Sequence, residues 1–399
     1  MRAALLCLCF LASGRITLAQ TQLPDPWEQG RVRIGPVAFT PGLTLKNLGW
    51  DSNVFNEAED PKSDFTVTAG GLVNWWMRVG NLRLIGISSV DGVYYATYTS
   101  ERGVNHHHDF RVEYRLNRLR PYAHGSYASV KDRVGYEVDT RSRHTETAIG
   151  AGVVVRVAAK TSVDVAARQT TTTFPEDEVY DGTVLAQSLN RKDGFSDATL
   201  RYAVTSLTAL TLLGEYRQER YDQSPVRDND SFLIMPGVQF DPFALLNGSA
   251  RVGYRHFHPL SPTIPSFDGV VAAVSLNYVL LGRTRFSVGV DRDIQASYDN
   301  SLPYYVLTGV GGAVRQGLGK GWDVEVRGAN QRLAYPSGLD ASGNTIDRVD
   351  RVVLFGGGVG YRLGQGTRIG ANVDYSRRPP GYRPGFETLR FGISAAYEF

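Results

Sequence analysis

The sequence predicts an all-β fold, a transmembrane antiparallel up-and-down β-barrel of about eighteen strands, with sixteen as the next count. Three observations carry that expectation. Apolar residues recur at every second position, the connectors between such runs alternate in length, and Tyr and Trp gather at both ends of the apolar faces. Such alternation lets one strand face meet lipid and the other water, while closure leaves no backbone unpaired in the membrane.

Composition is compatible with this and excludes several other classes. The 399 residues are 42% hydrophobic with a mean hydropathy of -0.23. After Gln20 no apolar run approaches the ~18 residues of a membrane helix, so no helical span is expected. The 43 glycines exceed the ~7% background, which leans toward strands with close backbone packing. At the N-terminus Met1-Arg2, the apolar run Ala3 to Ala12 and the small residues around Thr17-Leu18-Ala19 read as a signal peptide over residues 1–19. Both cysteines, Cys7 and Cys9, fall inside it, so neither a disulfide nor a zinc-thiolate site is expected in the mature chain. Neither follows a lipobox, so lipid attachment is not expected either. The formal charge of +3 shrinks when Arg2 and Arg15 leave, and no nucleic-acid partner is expected. Residues 20–37 then read as a short periplasmic segment and 38–399 as the barrel.

The strands follow one rule. Phe110, Val112, Tyr114 and Leu116 share a face opposite Arg111, Glu113 and Arg115. Val270, Ala272, Val274, Leu276 and Tyr278 share another. Trp322, Val324 and Val326 oppose Asp323, Glu325 and Arg327, and Ile369, Ala371, Val373 and Tyr375 oppose Arg368, Asn372 and Asp374. Short connectors carry turn chemistry: Gly80-Asn81, Asn117-Arg118, Ala159-Lys160, Ser206-Leu207, Gly282-Arg283, Gly317 to Gly321 and Gly364-Gln365-Gly366. Between them lie longer polar ones: Asn56 to Ser63, Ser100 to Asn105, Asp132 to Ser142, Phe174 to Leu189, Asp222 to Asp230, Pro259 to Phe267, Pro336 to Asp347 and Pro379 to Gly385. Tight periplasmic turns and long outer loops give this rhythm. Pro41 interrupts the first strand and is the reason to consider sixteen.

A soluble propeller or sandwich also alternates, so the aromatic residues decide. Tyr98, Tyr127, Tyr216, Tyr254 and Tyr375 fall near the far ends of upward strands. Trp75, Tyr114, Tyr202, Tyr278, Tyr361 and Tyr397 fall near the closing turns of downward ones. Two aromatic girdles at two membrane interfaces explain this, and no blade-like repeat of ~40 residues is present. The C-terminal segment FETLRFGISAAYEF adds a specific signal. Leu389, Phe391, Ile393, Ala395, Tyr397 and Phe399 form one apolar face ending in Phe, which resembles the last strand that the barrel-assembly machinery reads in bacterial outer-membrane barrels.

The first strand region, Pro41 through Phe55 with its sharp motif Gly49 to Phe55, resembles the outer-membrane β-barrel porin family sometimes labelled type 2. The resemblance implies a barrel along the whole mature chain. Some members of that family are found with exopolysaccharide biosynthesis and export genes, which implies a polysaccharide as one candidate solute. Asp51, Ser52 and Asn53 are expected to close the outer end of the first strand by side-chain to backbone hydrogen bonds, a ligand role being the alternative.

The expected lumenal faces carry charges of both signs, chiefly Arg111, Glu113, Arg115, Glu215, Arg217, Arg251, Arg255, Arg285, Asp291, Glu325, Arg327 and Arg390. One reading makes them a solute path whose Arg forks bind carboxylates, phosphates or sugar hydroxyls. The plainer reading is a wall of cross-strand ion pairs. His106, His107 and His108 begin one strand, and His256 and His258 share a face at the end of another, where metal capture is allowed but a solvated interface is the simpler reading. Glu176, Asp177, Glu178 and Asp181 suit cations that bridge lipopolysaccharide, or a solvated loop. His144 near Ser142 and Glu146 lacks the surroundings of known barrel hydrolases. With about fifteen residues before the first strand there is no room for a plug domain. The expectation is therefore a non-enzymatic, cofactor-free conduit in a Gram-negative outer membrane. Its partners are lipid, lipopolysaccharide, the assembly machinery and a polysaccharide or other polar solute. A structural or adhesive barrel is the second class and a barrel enzyme the third. Phe174 to Leu189 is the longest segment that could fold into the lumen and narrow it.

Overall fold

The structure, a computed structural model, describes residues 26–398 apart from 243, 337, 340–344 and 365. The signal-peptide segment and Phe399 lie outside the described residues. Eighteen long strands follow in chain order: β1 (Val37–Asp51), β2 (Asp64–Val79), β3 (Leu82–Tyr95), β4 (Gly103–Tyr114), β5 (Leu119–Arg133), β6 (Arg141–Arg156), β7 (Thr161–Thr173), β8 (Arg191–Ala203) and β9 (Thr208–Tyr221). The second half comprises β10 (Asn229–Phe240), β11 (Leu246–Pro259), β12 (Phe267–Leu280), β13 (Thr284–Ala296), β14 (Tyr304–Gly319), β15 (Trp322–Ala334), β16 (Val349–Leu363), β17 (Thr367–Arg378) and β18 (Phe386–Glu398). Each pairs antiparallel with the next. Strand β18 returns to β1 from Gly42↔Glu398 to Asp51↔Arg390, so the sheet has no free edge. Strands of 12–16 residues, tilted as in such barrels, rise about 28–37 Å, enough to cross a bilayer core. No described helix is long and apolar enough to cross a membrane.

Pro41 does not break β1. It sits opposite Val73 of β2, and the ladder to β18 begins one residue later, so eighteen strands stand. Long and short connectors alternate without exception. Two of them escape the sequence reading: the turn 241–245 between β10 and β11, and the long connector 297–303 between β13 and β14. Strand β3 ends at Tyr95, so Tyr98 lies in a connector, edge-on to Phe55 at 5.0 Å, and Tyr94 is the outward aromatic there. A short helix, Pro26–Gln29, and a three-residue strand, Val32–Ile34, precede β1 and fold back on it.

The side-chain faces divide as alternation requires. Leu43, Phe110, Tyr114, Tyr127, Tyr216, Tyr254, Tyr278, Leu389, Phe391, Ile393 and Tyr397 are exposed on the outer surface. Trp75, Tyr361 and Tyr375 share that surface and are partly covered, Trp75 by lying over Gly86, where a side chain on residue 86 would meet its ring. The inner face holds buried charges such as Glu113, Glu215, Arg255 and Glu325. Polar residues inside and apolar ones outside invert the usual arrangement of a water-soluble domain.

The family motif closes the seam. The Asn53 N–H donates to Asp51 Oδ1 (3.0 Å), and the Asn53 side chain donates to the carbonyls of Glu57 (2.8 Å) and Glu387 (3.1 Å). The Leu389 N–H donates to Ser52 Oγ (2.8 Å), and Arg390 Nε donates to Asp51 Oδ2 (2.7 Å). The first and last strands, far apart in the chain, are thus sutured at their outer end.

Candidate functional site

The lumen is built from the inward residues of all strands, and its two sides differ. From β14 to β18 each charge meets a partner. Arg315 Nε donates to Glu325 Oε2 (2.7 Å) and Arg327 Nη1 to Glu325 Oε1 (3.1 Å). Arg327 Nε donates to Asp374 Oδ1 (3.1 Å), and Arg368 Nη2 to Asp323 Oδ1 (2.6 Å). Gly356 and Gly360 make this possible, because Asp374 and Arg368 lie flat across them where a Cβ would stand.

On β4 to β13 the pairing is incomplete. Arg111 lies 3.5 Å over the Tyr122 ring and 3.7 Å from Glu113. Arg115 stands just past the end of β4 and donates to Glu113 Oε1 (2.7 Å). Arg255 joins Asp293 through two bonds of 2.7 and 2.9 Å, donates to Ser231 Oγ and lies 3.6 Å from Glu215. Arg217 meets Asp193 and Glu219. Arg251, Arg285 and Asp291 have no hydrogen bond or ion pair with any described residue. Most of the charges read from the sequence as lumenal are thus engaged in ion pairs.

A cavity of about 710 Å³ occupies the lumen beside β1 to β6 and β14 to β18. Its lining mixes Asn47, Asn105, Asn372, Thr68 and Ser376 with the charges of Asp51, Asp374, Arg327 and Arg390. Amides, hydroxyls and both charge signs can exchange hydrogen bonds with a polar solute.

One connector crosses the outer mouth. Connector 134–140, between β5 and β6, folds inward and reaches the far side of the ring, where it meets the connectors 297–303, 335–348 and 379–385. Glu137, 2% exposed, is its anchor. It accepts from Ser297 Oγ (2.7 Å), Tyr335 Oη (2.8 Å) and the Tyr298 N–H (3.1 Å), with Arg348 at 3.8 Å. Burial pushes its carboxyl up despite these donors. Asp139 accepts from Arg378 Nη1 and Arg383 Nη2, both at 2.7 Å, and from Tyr180 Oη (3.0 Å). Val138 packs with Phe174, Leu185, Ala186, Leu189 and Tyr298 in an apolar cluster. The long segment after β7 therefore does fold inward, as a bracket for the shorter connector that crosses the mouth.

A protein-family model described as "Putative beta-barrel porin 2" matches residues 25–393. The chain belongs to that family. No curated protein matches it. Among solved structures, this porin-family chain is similar to the FrpB iron transporter from Neisseria meningitidis, at 9% identity and a TM-score of 0.47, covering 88% of this chain and 63% of that one. It is also similar to the outer membrane protein opdK from Pseudomonas aeruginosa, at 11% identity and a TM-score of 0.47, covering 90% and 98%. Acinetobacter baumannii OccAB4 is similar at 9% identity and a TM-score of 0.46, covering 90% and 98%.

The other residues singled out from the sequence of this porin-family barrel fall apart from the lumen or are already engaged. His256 and His258 point outward with rings 6.3 Å apart, and His256 Nδ1 lies 2.6 Å from Asp268. Among the described residues no group of three or more His, Cys, Asp or Glu could hold a metal ion. His144 stacks on Phe174 at 5.1 Å, its Nδ1 lying 3.2 Å from the Ser142 carbonyl. Asp177 and Glu178 meet Arg143, and Asp181 accepts from Tyr298 Oη (3.1 Å). Glu137, Asp139, Arg348 and Thr211 were not foreseen. The first three sit in connectors with no periodicity, and Thr211 is an ordinary strand residue until its neighbours are known.

Proposed function

We propose that this chain is a porin-like conduit of the bacterial outer membrane for polar solutes, with transport or export of a polysaccharide as the specific reading. The observation that carries it is the cavity inside a closed eighteen-strand barrel, whose lining includes amides, hydroxyls and charges of both signs that can orient a hydrated solute. The family's porin character supports the same reading. The outward Tyr and Trp residues serve as interface girdles against lipid and lipopolysaccharide, and the apolar face of β18 with Phe399 serves as the assembly signal. No enzymatic role is assigned. Connector 134–140, which crosses the outer mouth, makes the conduit a gated one. Single-channel recording of refolded protein in planar bilayers, with and without charged oligosaccharides, tests this. Current that oligosaccharide interrupts is expected, rare in the wild type and frequent once the connector is released by Glu137→Ala. Absence of current from both proteins removes the conduit. Deleting Phe399 is expected to lower surface assembly, and unchanged surface levels would remove its signal role.

A further inference from the structure

Five pairings place six inward residues in one register row across β8 to β13: Arg201↔Thr211, Thr211↔Gly237, Gly237↔Arg251, Arg251↔Ala273 and Ala273↔Asp291. The row runs about 24 Å along the lumenal wall at the usual strand spacing. Three of its four polar members share one property. Arg201 Nε, Arg251 Nε and Thr211 Oγ1 are buried and have no hydrogen-bond partner, and Thr211 is only 6% exposed. Asp291 likewise has no hydrogen bond or ion pair among the described residues. Buried donors and acceptors are nearly always satisfied in a folded protein, and each one left without a partner keeps its desolvation cost. Gly237 and Ala273 project little or nothing, so they form the low floor between the polar members. Arg251 leans across Gly237, where an added Cβ would come 2.5 Å from Arg251 Cγ.

We propose that this row is a binding strip for an acidic oligosaccharide, a chain that carries both carboxylates and hydroxyls. The two guanidiniums are separated by three strand spacings, which suits carboxylates repeated along a polymer better than one compact anion. Arg201 and Arg251 take carboxylates through charge-assisted hydrogen bonds. Asp291 accepts from sugar hydroxyls, and Thr211 exchanges a hydrogen bond with a neighbouring one. An inorganic anion would use the arginines and leave Asp291 repelling it, so the row as a whole selects a hydroxylated anion. The strip rests on the conduit reading and names its solute class.

Isothermal titration of the refolded full-length barrel in detergent, with tetragalacturonate and with neutral maltotetraose, tests the strip. The wild type is expected to bind the acidic tetramer in preference to the neutral one. In the double variant Arg201→Gln/Arg251→Gln the acidic tetramer is expected to bind about tenfold more weakly or worse, as loss of charge-assisted hydrogen bonds implies. Arg201→Lys/Arg251→Lys is expected to recover part of the affinity. Equal affinity for the two tetramers in the wild type overturns the proposal whether or not the variants fold, and so does equal affinity in the wild type and the Gln variant. Preferential acidic binding without current in bilayers upholds the strip and removes the conduit, whereas current without that preference does the reverse.

Discussion

The bridge across the outer mouth and the row from Arg201 to Asp291 treat polar groups in opposite ways within one barrel. At the bridge, Glu137 accepts from three donors beside Arg348, while Arg348 is itself held by Asp350 (2.8 Å) and Asp299 (3.3 Å). Along the row, Arg201 Nε, Arg251 Nε and Thr211 Oγ1 are buried without a hydrogen-bond partner, and Asp291 makes no hydrogen bond or ion pair among the described residues, while the Arg201 charge feels Asp241. Both sites are strongly polar, and composition does not distinguish them. What separates a charge that fixes a structure from one that awaits a solute is whether its hydrogen-bonding capacity is already spent.

The largest expected effect comes from breaking the bridge. Glu137→Ala removes the acceptor shared by Ser297, Tyr298 and Tyr335 and leaves Arg348 with less counter-charge in a buried place. Breaking a buried charge pair from one side costs about 3–5 kcal/mol, which here falls on the docked position of the connector. Limited proteolysis within residues 134–140 is expected to become rapid while the barrel resists, and channel opening is expected to rise. A connector as protected as in the wild type would mean that Val138 and its apolar cluster hold it unaided.

A smaller loss is expected at the seam. Asn53→Ala removes side-chain bonds to the carbonyls of Glu57 and Glu387 and from the Glu57 N–H (2.9 Å), leaving part-buried backbone groups short of partners. The cost expected is about 1–3 kcal/mol, read as a lower temperature of heat-induced unfolding on gels. The row should not feel it, so acidic tetramer binding is expected to stay unchanged. A change in binding would show that seam and row are coupled.

Acidity sharpens the comparison further. Burial raises the Glu137 carboxyl in the docked connector, with Ser297, Tyr335, Arg348 and the Tyr298 N–H opposing. The docked state therefore holds the proton more tightly than the released state. Docking is strongest below the ordinary glutamate value of about 4.3, and the advantage is lost as pH rises through the docked-state value. Opening recorded in bilayers is expected to increase from acid toward neutral pH, with Glu137→Gln flattening the profile. The opposite trend would assign the response to other groups.

Much of the fold was legible because alternation is local. Phe110, Val112 and Tyr114 face one side whatever their neighbours do, and turn residues such as Gly80-Asn81 announce short connectors. The turn 241–245 was missed because its Asp-Pro-Phe-Ala-Leu lacks a glycine or asparagine signal. Connector 297–303 was missed because Tyr298 and Leu302, which pack inward, disguise a loop as strand. The candidate sites were less legible for a different reason. Partners of Glu137 lie 160 and 198 residues downstream, and no periodicity links them. The inward face of Arg251 could be read from its own strand, but its alignment with Thr211 and Arg201 depends on registers set by turns and strand ends elsewhere. Asp51 bonds the Asn53 N–H as the local reading expected, since Asx chemistry acts over two residues, whereas the bonds of Ser52 and Asn53 to the last strand span more than 330 residues and left no local trace.

The smallest expected effect is the most discriminating. In a satisfied site, Thr→Val removes a hydrogen bond and strands its partner. Thr211 Oγ1 is buried and has no partner to strand, and valine nearly matches threonine in shape. Replacing an unsatisfied buried hydroxyl with a methyl relieves its desolvation, so Thr211→Val is expected to leave stability unchanged or raise it by up to about 1 kcal/mol. The same substitution is expected to weaken tetragalacturonate binding a few-fold, the loss of about one neutral hydrogen bond. Stability and binding moving in opposite directions would mark a group kept for a solute. A variant that is clearly less stable would mean that Thr211 is bonded in the folded barrel, and the contrast between bridge and row would lose its sharpest member.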